Sequence, residues 1–221
     1  MKSFCRYFPL LALLLLIRSA GAQSSVDANI GFGYVHAKST GAGIENINSV
    51  NAFGACTPSA SDPTCQATPA LNGFTLGGGA DIMLYKKFGI GGEFVVTPAR
   101  RDYGPLQFRE TFYDFNGIFA PVNQKKFILK LEGGIGGAKT GFSYTQSGCV
   151  GTAVCSTSTQ PVGSSNHFQL HVGVGAQVYI SEHVFVRPQF DFRYVPGLTD
   201  QFGSNVVPGF TVWLGYSLGD R

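Results

Sequence analysis

The sequence predicts an all-β fold: an eight-stranded antiparallel up-and-down transmembrane β-barrel preceded by a cleavable signal peptide. Three observations predict it. An apolar run near the N-terminus has the form of an export signal. Large apolar side chains then alternate with glycines and polar residues along most of the chain. The connections between the alternating stretches are by turns longer and shorter.

Residues 1–22 have the organisation of a signal peptide. Lys2 and Arg6 supply the positive start, Leu10–Ile17 is the apolar run, and small residues follow it. The run is about half the ~20 residues that a membrane-spanning helix needs. We therefore expect cleavage after residue 22 and a single β-barrel domain over residues 23–221. A retained signal anchor is the alternative.

The composition is unusual for a soluble domain. Charged residues make up 13% of the chain, whereas ordinary soluble domains carry about 25%. The chain has 30 glycines, and aromatic residues also reach 13%. No second apolar run of helical membrane length follows the first, which argues against a helical membrane protein. The net charge is only +3 with no basic run, so we expect no nucleic-acid partner.

Period-two alternation marks eight strands. In the first, apolar residues occupy every second position, as in the run Ala28, Ile30, Phe32 and Tyr34, with Asp27, Asn29, Gly31 and Gly33 interleaved. Most stretches have about ten residues, the length that a tilted transmembrane strand needs. The predicted strands cover residues 26–37, 73–84, 88–97, 106–119, 127–135, 168–180, 184–194 and 210–218.

The connections alternate in length. Three are comparatively short, at residues 85–87, 120–126 and 181–183, and the others are longer, at residues 38–72, 98–105, 144–165 and 196–205. Bacterial outer-membrane barrels have short periplasmic turns and longer external loops. A soluble lipocalin-like barrel is the alternative, but its water-facing residues would be richer in Lys and Glu than the glycine-rich polar set found here.

These features give the chain a resemblance to the small outer-membrane β-barrel superfamily, which includes the OmpA membrane domain and OmpX-like proteins. It resembles them most clearly in residues 28–34 and 209–216. The resemblance implies location in the bacterial outer membrane and insertion by the assembly machinery, which reads an aromatic residue in the last strand. This sequence departs from that pattern, because Leu218 is followed by Gly219, Asp220 and Arg221, and we expect Tyr216 to substitute as the recognised aromatic residue. We expect a monomer in contact with outer-membrane lipid, with an extracellular ligand bound through the loops.

Charged residues fall on the face of the strands that we assign to the lumen. Because a lone buried charge is costly, these groups must pair or be hydrated. One interpretation is a salt-bridge network that plugs the barrel; the other is a narrow hydrated path, weakly cation-selective because acids outnumber bases. The lumen residues are Asp27, Asp81, Glu93, Asp114, Lys130, Glu132, Arg187, Asp191 and Arg193.

Four cysteines remain after the signal peptide: Cys56, Cys65, Cys149 and Cys155. An even number in an exported chain indicates disulfides, and the short spacings favour Cys56–Cys65 and Cys149–Cys155. The alternative is a metal site, but neither pair has CxxC spacing and neither segment contains a histidine.

No catalytic, cofactor or metal site is predicted. Some outer-membrane barrels are enzymes that use His with Ser or Asp near the outer rim, so we consider His36, His167, His171 and Ser143 as candidates. Their strand positions do not bring them together, and no helix follows the glycine clusters to hold a phosphate. We therefore expect an envelope scaffold or surface-interaction protein. A small pore is the second hypothesis, and a lipid-modifying enzyme is the third.

Overall fold

The computed structural model describes residues 25–37, 43–45, 54–56, 65–67, 69–103, 106–150 and 154–219. Within these ranges, the side chains of residues 43–45, 54–56, 65–67, 147–156 and 200 are outside the description. The predicted signal peptide lies outside the described residues, so it stays a prediction.

The described chain is almost entirely β-strand. In chain order the elements are β1 (Ser25–Ala37), β2 (Gly43–Glu45), β3 (Gly54–Cys56), β4 (Cys65–Ala67), β5 (Leu71–Tyr85), β6 (Phe88–Val96), β7 (Arg101–Tyr103), β8 (Leu106–Gln124), β9 (Phe127–Val150), β10 (Val154–Tyr179), β11 (Val184–Tyr194), α1 (Thr199–Phe202) and β12 (Val206–Leu218). Among the described residues, no helix has the length and hydrophobicity required to cross a membrane.

Eight of these strands form a closed antiparallel barrel. The order around the ring is β6-β5-β1-β12-β11-β10-β9-β8, and pairing of β6 with β8 closes it. Each strand neighbours the preceding and following barrel strands in the chain, and β12 returns to β1, with Ile30 opposite Leu214. This up-and-down topology confirms the predicted fold class. Closure leaves no barrel strand with an unpaired edge inside a membrane.

Alternation along the strands sorts side chains between lumen and outer surface. On β10, Val172 and Val174 are 62% and 42% exposed, while Gln169 and Gln177 are fully buried. A strand places successive side chains on opposite faces, so the apolar set of every barrel strand forms one belt around the outside. In a protein surrounded by water such a belt would be an exposed apolar surface of unusual size.

The structure differs from the sequence prediction in the connections. Residues 144–165, predicted as a loop, belong largely to β9 and β10, which continue well beyond the neighbouring strands. Strand β8 runs to Gln124, so the predicted connection 120–126 shortens to a two-residue turn at 125–126. The prediction was wrong there because Ser, Thr and Gly dominate 144–165, and Pro121 reads as a strand terminator. Strands β2, β3 and β4 form a small separate sheet within the first long connection.

The two ends of the barrel differ. The end with the connections at residues 38–70, 97–105, 151–153 and 195–205 is called the long-loop end, and the opposite end the short-turn end. Between them, the interior has three layers. Apolar side chains form an outer layer at the long-loop end and an inner layer at the short-turn end, and charged and amide side chains fill the middle.

The cysteine positions follow from the strand register. Cys149 and Cys155 are directly opposite each other on β9 and β10, and antiparallel partners have Cα atoms about 4.5–5.5 Å apart, which a disulfide can span. Cys56 and Cys65 instead lie on β3 and β4, on either side of β2. Two strand spacings are about 10 Å, beyond the ~7 Å limit for a disulfide. The sulfur positions are outside the description, so both bridges stay predictions.

Candidate functional site

The middle layer of the lumen is a continuous polar network, which we call the lumen network. All nine charged side chains assigned to the lumen from the sequence point into it, and none is more than 7% exposed. The network also contains uncharged polar side chains and a histidine, which the strand alternation places on the same lumen-facing side. These are Asn116, Gln169, His171, Gln177 and Gln189.

Arg187 is the central cation of the network. Its Nη1 donates to Asp81 Oδ2 at 2.6 Å and to Glu132 Oε1 at 3.1 Å, and its Nη2 donates to Glu93 Oε1 at 3.0 Å. The carboxylates come from β5, β6 and β9, whereas Arg187 lies on β11. One guanidinium therefore joins four strands across the full width of the lumen. Its planar fork of five donors suits such multiple bonding better than a lysine would.

Lys130 extends the network toward the short-turn end. Its Nζ lies 2.7 Å from Asp81 Oδ2 and 2.9 Å from Asp27 Oδ2. Gln177 donates a second hydrogen bond to the same Asp27 oxygen at 3.1 Å. Asp81 is thereby shared by Lys130 and Arg187, which connects the two cations.

His171 connects the network toward the long-loop end. Its Nε2 lies 3.0 Å from Asp191 Oδ1, and its Nδ1 lies 3.0 Å from Asn116 Oδ1. Asn116 in turn donates to Asp114 Oδ1. His171 therefore connects Asn116 on β8 with Asp191 on β11 through its two ring nitrogens. Among the nine charged residues of the network, six carboxylates face three Lys and Arg side chains.

One group in the network has the composition of a metal site. Glu93, His171 and Asp191 place ligand atoms within 4.8 Å of one another. The space between the carboxylates is filled by Gln189, whose Nε2 donates to Asp191 Oδ1 at 2.8 Å and to Glu93 Oε1 at 3.1 Å. The amide nitrogen of Gln189 thus bridges the two carboxylates of this group.

Aromatic side chains close the lumen at the long-loop end. Phe202 from α1 packs against Phe108 and Tyr103, with ring centroids 4.9 Å and 5.6 Å apart, and Tyr103 also contacts Phe142. The Tyr103 hydroxyl donates to the backbone oxygen of Gln201 at 2.7 Å, which ties α1 to β7. Burial and the nearby Glu110 carboxylate raise the pKa of the Tyr103 phenol, so it remains a neutral donor.

The only tryptophan lies inside the barrel between the outer layer and the lumen network. Trp213 is fully buried, and the Arg187 guanidinium lies 5.7 Å from its ring centroid. A Cβ added to Gly31 or Gly77 would lie within 2.8 Å of the indole ring. These two glycines therefore make room for the tryptophan, as expected where a backbone approaches a large group closely.

Apolar side chains close the short-turn end as well. The inner layer consists of Met83, Ile118, Ala120, Ile128, Tyr179 and Phe185, each at most 8% exposed. Phe185 is fully buried, and its ring fills the space in front of Gly215. In the described residues, buried side chains thus occupy the lumen at the long-loop end, in the middle and at the short-turn end.

The residues considered as catalytic candidates do not form one site. His36 is exposed on the outer surface, and His171 is buried in the lumen. His167 is half-buried, and its Nε2 lies 3.4 Å from Gln201 Oε1. Ser143 donates to the backbone oxygen of Gln107 rather than to a histidine. Nowhere in the described chain does one of these histidines activate a serine.

The β9–β10 hairpin extends beyond the barrel at the long-loop end. Seven residue pairs, from Tyr144–Gln160 to Val150–Val154, lie beyond the last β8 partner, Ser143. We call residues 144–160 the ribbon. It carries no charged residue, and within the described residues no third strand pairs with either edge.

An apolar belt outside and a polar, paired interior define a transmembrane β-barrel, because in lipid every backbone polar group must be paired within the protein. Solved structures with this architecture are outer-membrane barrels. Ail, the attachment invasion locus protein of Yersinia pestis, in complex with the heparin analogue sucrose octasulfate, aligns with a TM-score of 0.53 and 13% identity over 89% of this chain and 99% of its own.

Two further structures align over similar lengths. Neisserial surface protein A gives a TM-score of 0.47 at 11% identity, over 90% of this chain and 98% of its own. The N-terminal barrel domain of Pseudomonas aeruginosa OprF gives 0.45 at 12% identity, over 90% and 100%. No protein-family model and no curated protein sequence matches the chain. The protein has the fold of a small bacterial outer-membrane β-barrel.

Proposed function

We propose that the protein is a non-conducting outer-membrane barrel that presents the ribbon outside the cell as an interaction surface. The filled lumen carries this proposal. Outer layer, lumen network and inner layer each contain fully buried large side chains, such as Phe202, Arg187 and Phe185. An eight-stranded barrel is just wide enough for side chains to fill it. A barrel filled in this way is a rigid support for the ribbon.

The ribbon has the properties of a recognition element for extended chains. No third described strand pairs with either edge of the ribbon, and an exposed strand edge readily accepts another strand. Thr145 and Thr159 hydroxyls lie 3.1 Å apart across it, which holds the two strands in register. Because the ribbon is polar and uncharged, we expect a partner to bind it through backbone hydrogen bonds rather than through ion pairs. The natural partner class is an extended polypeptide segment.

The test is selection of linear peptides against the folded protein in detergent micelles. Peptides recovered on the intact protein should lose binding when residues 146–158 are replaced by a short glycine-containing turn. Substituting Gln146 by Pro should weaken binding too, because proline lacks a backbone N–H and disturbs strand pairing in the ribbon. Unchanged binding to the shortened variant would refute the assignment of the surface.

A second experiment separates presentation from assembly. The shortened variant should still insert and keep heat-modifiable gel mobility, because the barrel ladder closes below Ser143 without the ribbon. If the ribbon were needed for barrel formation, the shortened variant would be lost from the outer membrane. The ribbon would then be an assembly element.

A further inference from the structure

Three cations lie together on the outer surface near the long-loop end. Arg100 follows β6, Arg109 is on β8 and Lys139 is on β9, and all three are exposed. None of them has an ion pair or hydrogen bond with another described residue. They line a depression of about 430 Å³, and no acidic side chain of the described residues borders it. We call this depression the rim pocket.

The floor of the rim pocket is open and polar. At Gly141 an added Cβ would have one neighbour, the Arg109 backbone oxygen at 3.9 Å, and at Gly163 it would have none within 4 Å. Ser164 adds a hydroxyl beside Gly141, its register partner. The combination of unpaired cations, hydroxyl and bare backbone suits an anionic group of phosphate size.

The strand register fixes the height of the pocket above the apolar belt. Arg109, Gly141 and Ser164 form one row across β8, β9 and β10, and the next row contains Lys139. Tyr113, Gly137 and Phe168 form the row after that, and Phe115, Ile135 and Leu170 the following one. Two residues along a strand span about 7 Å. Lys139 and Arg109 therefore lie about 7 Å and about 14 Å from the aromatic row, measured along the strands.

The aromatic row marks the edge of the belt. Tyr113 and Phe168 are 46% and 54% exposed, and the Tyr113 ring lies over Gly137. Aromatic residues form such girdles at the boundary between hydrocarbon and headgroups. A molecule whose anionic group binds the cations can therefore lay an apolar tail on Ile135 and Leu170 below.

We propose that the rim pocket binds the phosphate groups of a phosphorylated outer-leaflet lipid. Arg109 supplies a bidentate fork, Lys139 and Arg100 supply further positive charge, and the acyl chains lie on the belt between β8 and β10. A soluble anion would use only the cations, whereas a lipid uses the cations and the apolar rows together. The inference depends on the proposed orientation, with the ribbon outside.

The test uses native mass spectrometry of the mature protein in detergent, titrated with diphosphorylated lipid A. Each of Arg109→Gln and Lys139→Gln should raise the apparent Kd about fivefold, from about 1 kcal/mol per cation at an anionic surface. The triple variant with Arg100→Gln added should raise it more than either single variant. Lipid A stripped of both phosphates should bind wild type and triple variant equally and weakly.

The matched control removes three exposed lysines from the short-turn end: Lys86→Gln, Lys87→Gln and Lys125→Gln. This triple variant should bind lipid A like wild type. An equal loss in both triple variants would overturn the proposal. It would also be overturned if wild type bound the dephosphorylated lipid as tightly as diphosphorylated lipid A. Displacement of bound lipid A by inorganic phosphate alone would make the pocket a soluble-anion site and would equally overturn it. Because micelles have no leaflets, lipid A binding in this assay does not depend on which end of the barrel faces outward. It does not depend on the proposed role of the ribbon either.

Discussion

At the residue scale, the lumen network depends on Arg187, which bonds three carboxylates at once. We predict that Arg187→Met lowers the free energy of unfolding by about 3–5 kcal/mol, because removing one partner leaves buried charges uncompensated. Arg187→Lys retains the positive charge but lacks the guanidinium fork, so it should lower the free energy of unfolding by less than Arg187→Met. Urea titration in lipid vesicles, followed by heat-modifiable gel mobility, measures both. Equal stability of the methionine variant and wild type would contradict a charge-linked lumen.

A second residue-scale prediction concerns the outer surface. Val174 faces outward midway between Phe168 and Ile180, near the middle of the belt. Val174→Arg should cost about 2–4 kcal/mol in lipid, the value for a cation at the bilayer midplane. Ser158→Arg, on the exposed ribbon of the same strand, should cost nearly nothing. If the two substitutions had the same effect on unfolding in vesicles, Val174 would not face hydrocarbon.

At the scale of single elements, α1 is a plug rather than an exposed loop. Leu198 and Phe202 are fully buried, although both belong to a connection that was predicted as an external link. We predict that Phe202→Ala releases residues 196–205 and makes them susceptible to proteinase K on intact cells. Removal of a buried Phe side chain from a core costs about 3–5 kcal/mol. A one-turn helix is not stable on its own, so α1 should detach from the barrel when this packing is lost.

The matched control for that experiment is Thr199→Ala, because Thr199 is exposed on the same turn. It should leave the cleavage pattern of wild type unchanged. Cleavage of the wild-type connection at the same rate as that of Phe202→Ala would mean that α1 does not close the barrel.

The ribbon gives the second element-scale prediction. Since Cys149 and Cys155 are register partners, peptide mapping without reduction should find them linked to each other. The double variant Cys149→Ser with Cys155→Ser should still assemble, since a bridge closing so short a loop contributes at most about 2–3 kcal/mol and restrains mainly its own loop. Detection of either cysteine linked to Cys56 or Cys65 would show that the first and third long connections are joined.

At the scale of the whole molecule, the sequence predicted the barrel strands because lipid outside and packed polar groups inside impose strict alternation. Strand β11 runs from Val184 to Tyr194, as predicted, and β1 differs by one residue. The charged lumen residues could be found because a charge at an alternating position is conspicuous among glycines. What alternation could not reveal were the features that depend on tertiary contacts.

Three of these features determine the candidate site. The ribbon has polar residues on both faces, so no period separates it from a loop. His171 is on the lumen face, but its position between Asp191 and Asn116 depends on the register of three strands. The burial of α1 depends on an aromatic cavity built by β7, β8 and β9. Sequence periodicity reports which face a residue occupies, and it contains no information on what lies opposite.

The central claim is that this barrel has no conducting path, and single-channel recording in planar bilayers tests it most directly. Mature protein that shows heat-modifiable mobility should produce no current steps above the leak of the lipid alone, while a general porin inserted in parallel should conduct. This is expected because fully buried side chains fill the outer, middle and inner layers of the lumen. Reproducible cation-selective steps would contradict the account and make the carboxylates of the lumen network the lining of a pore.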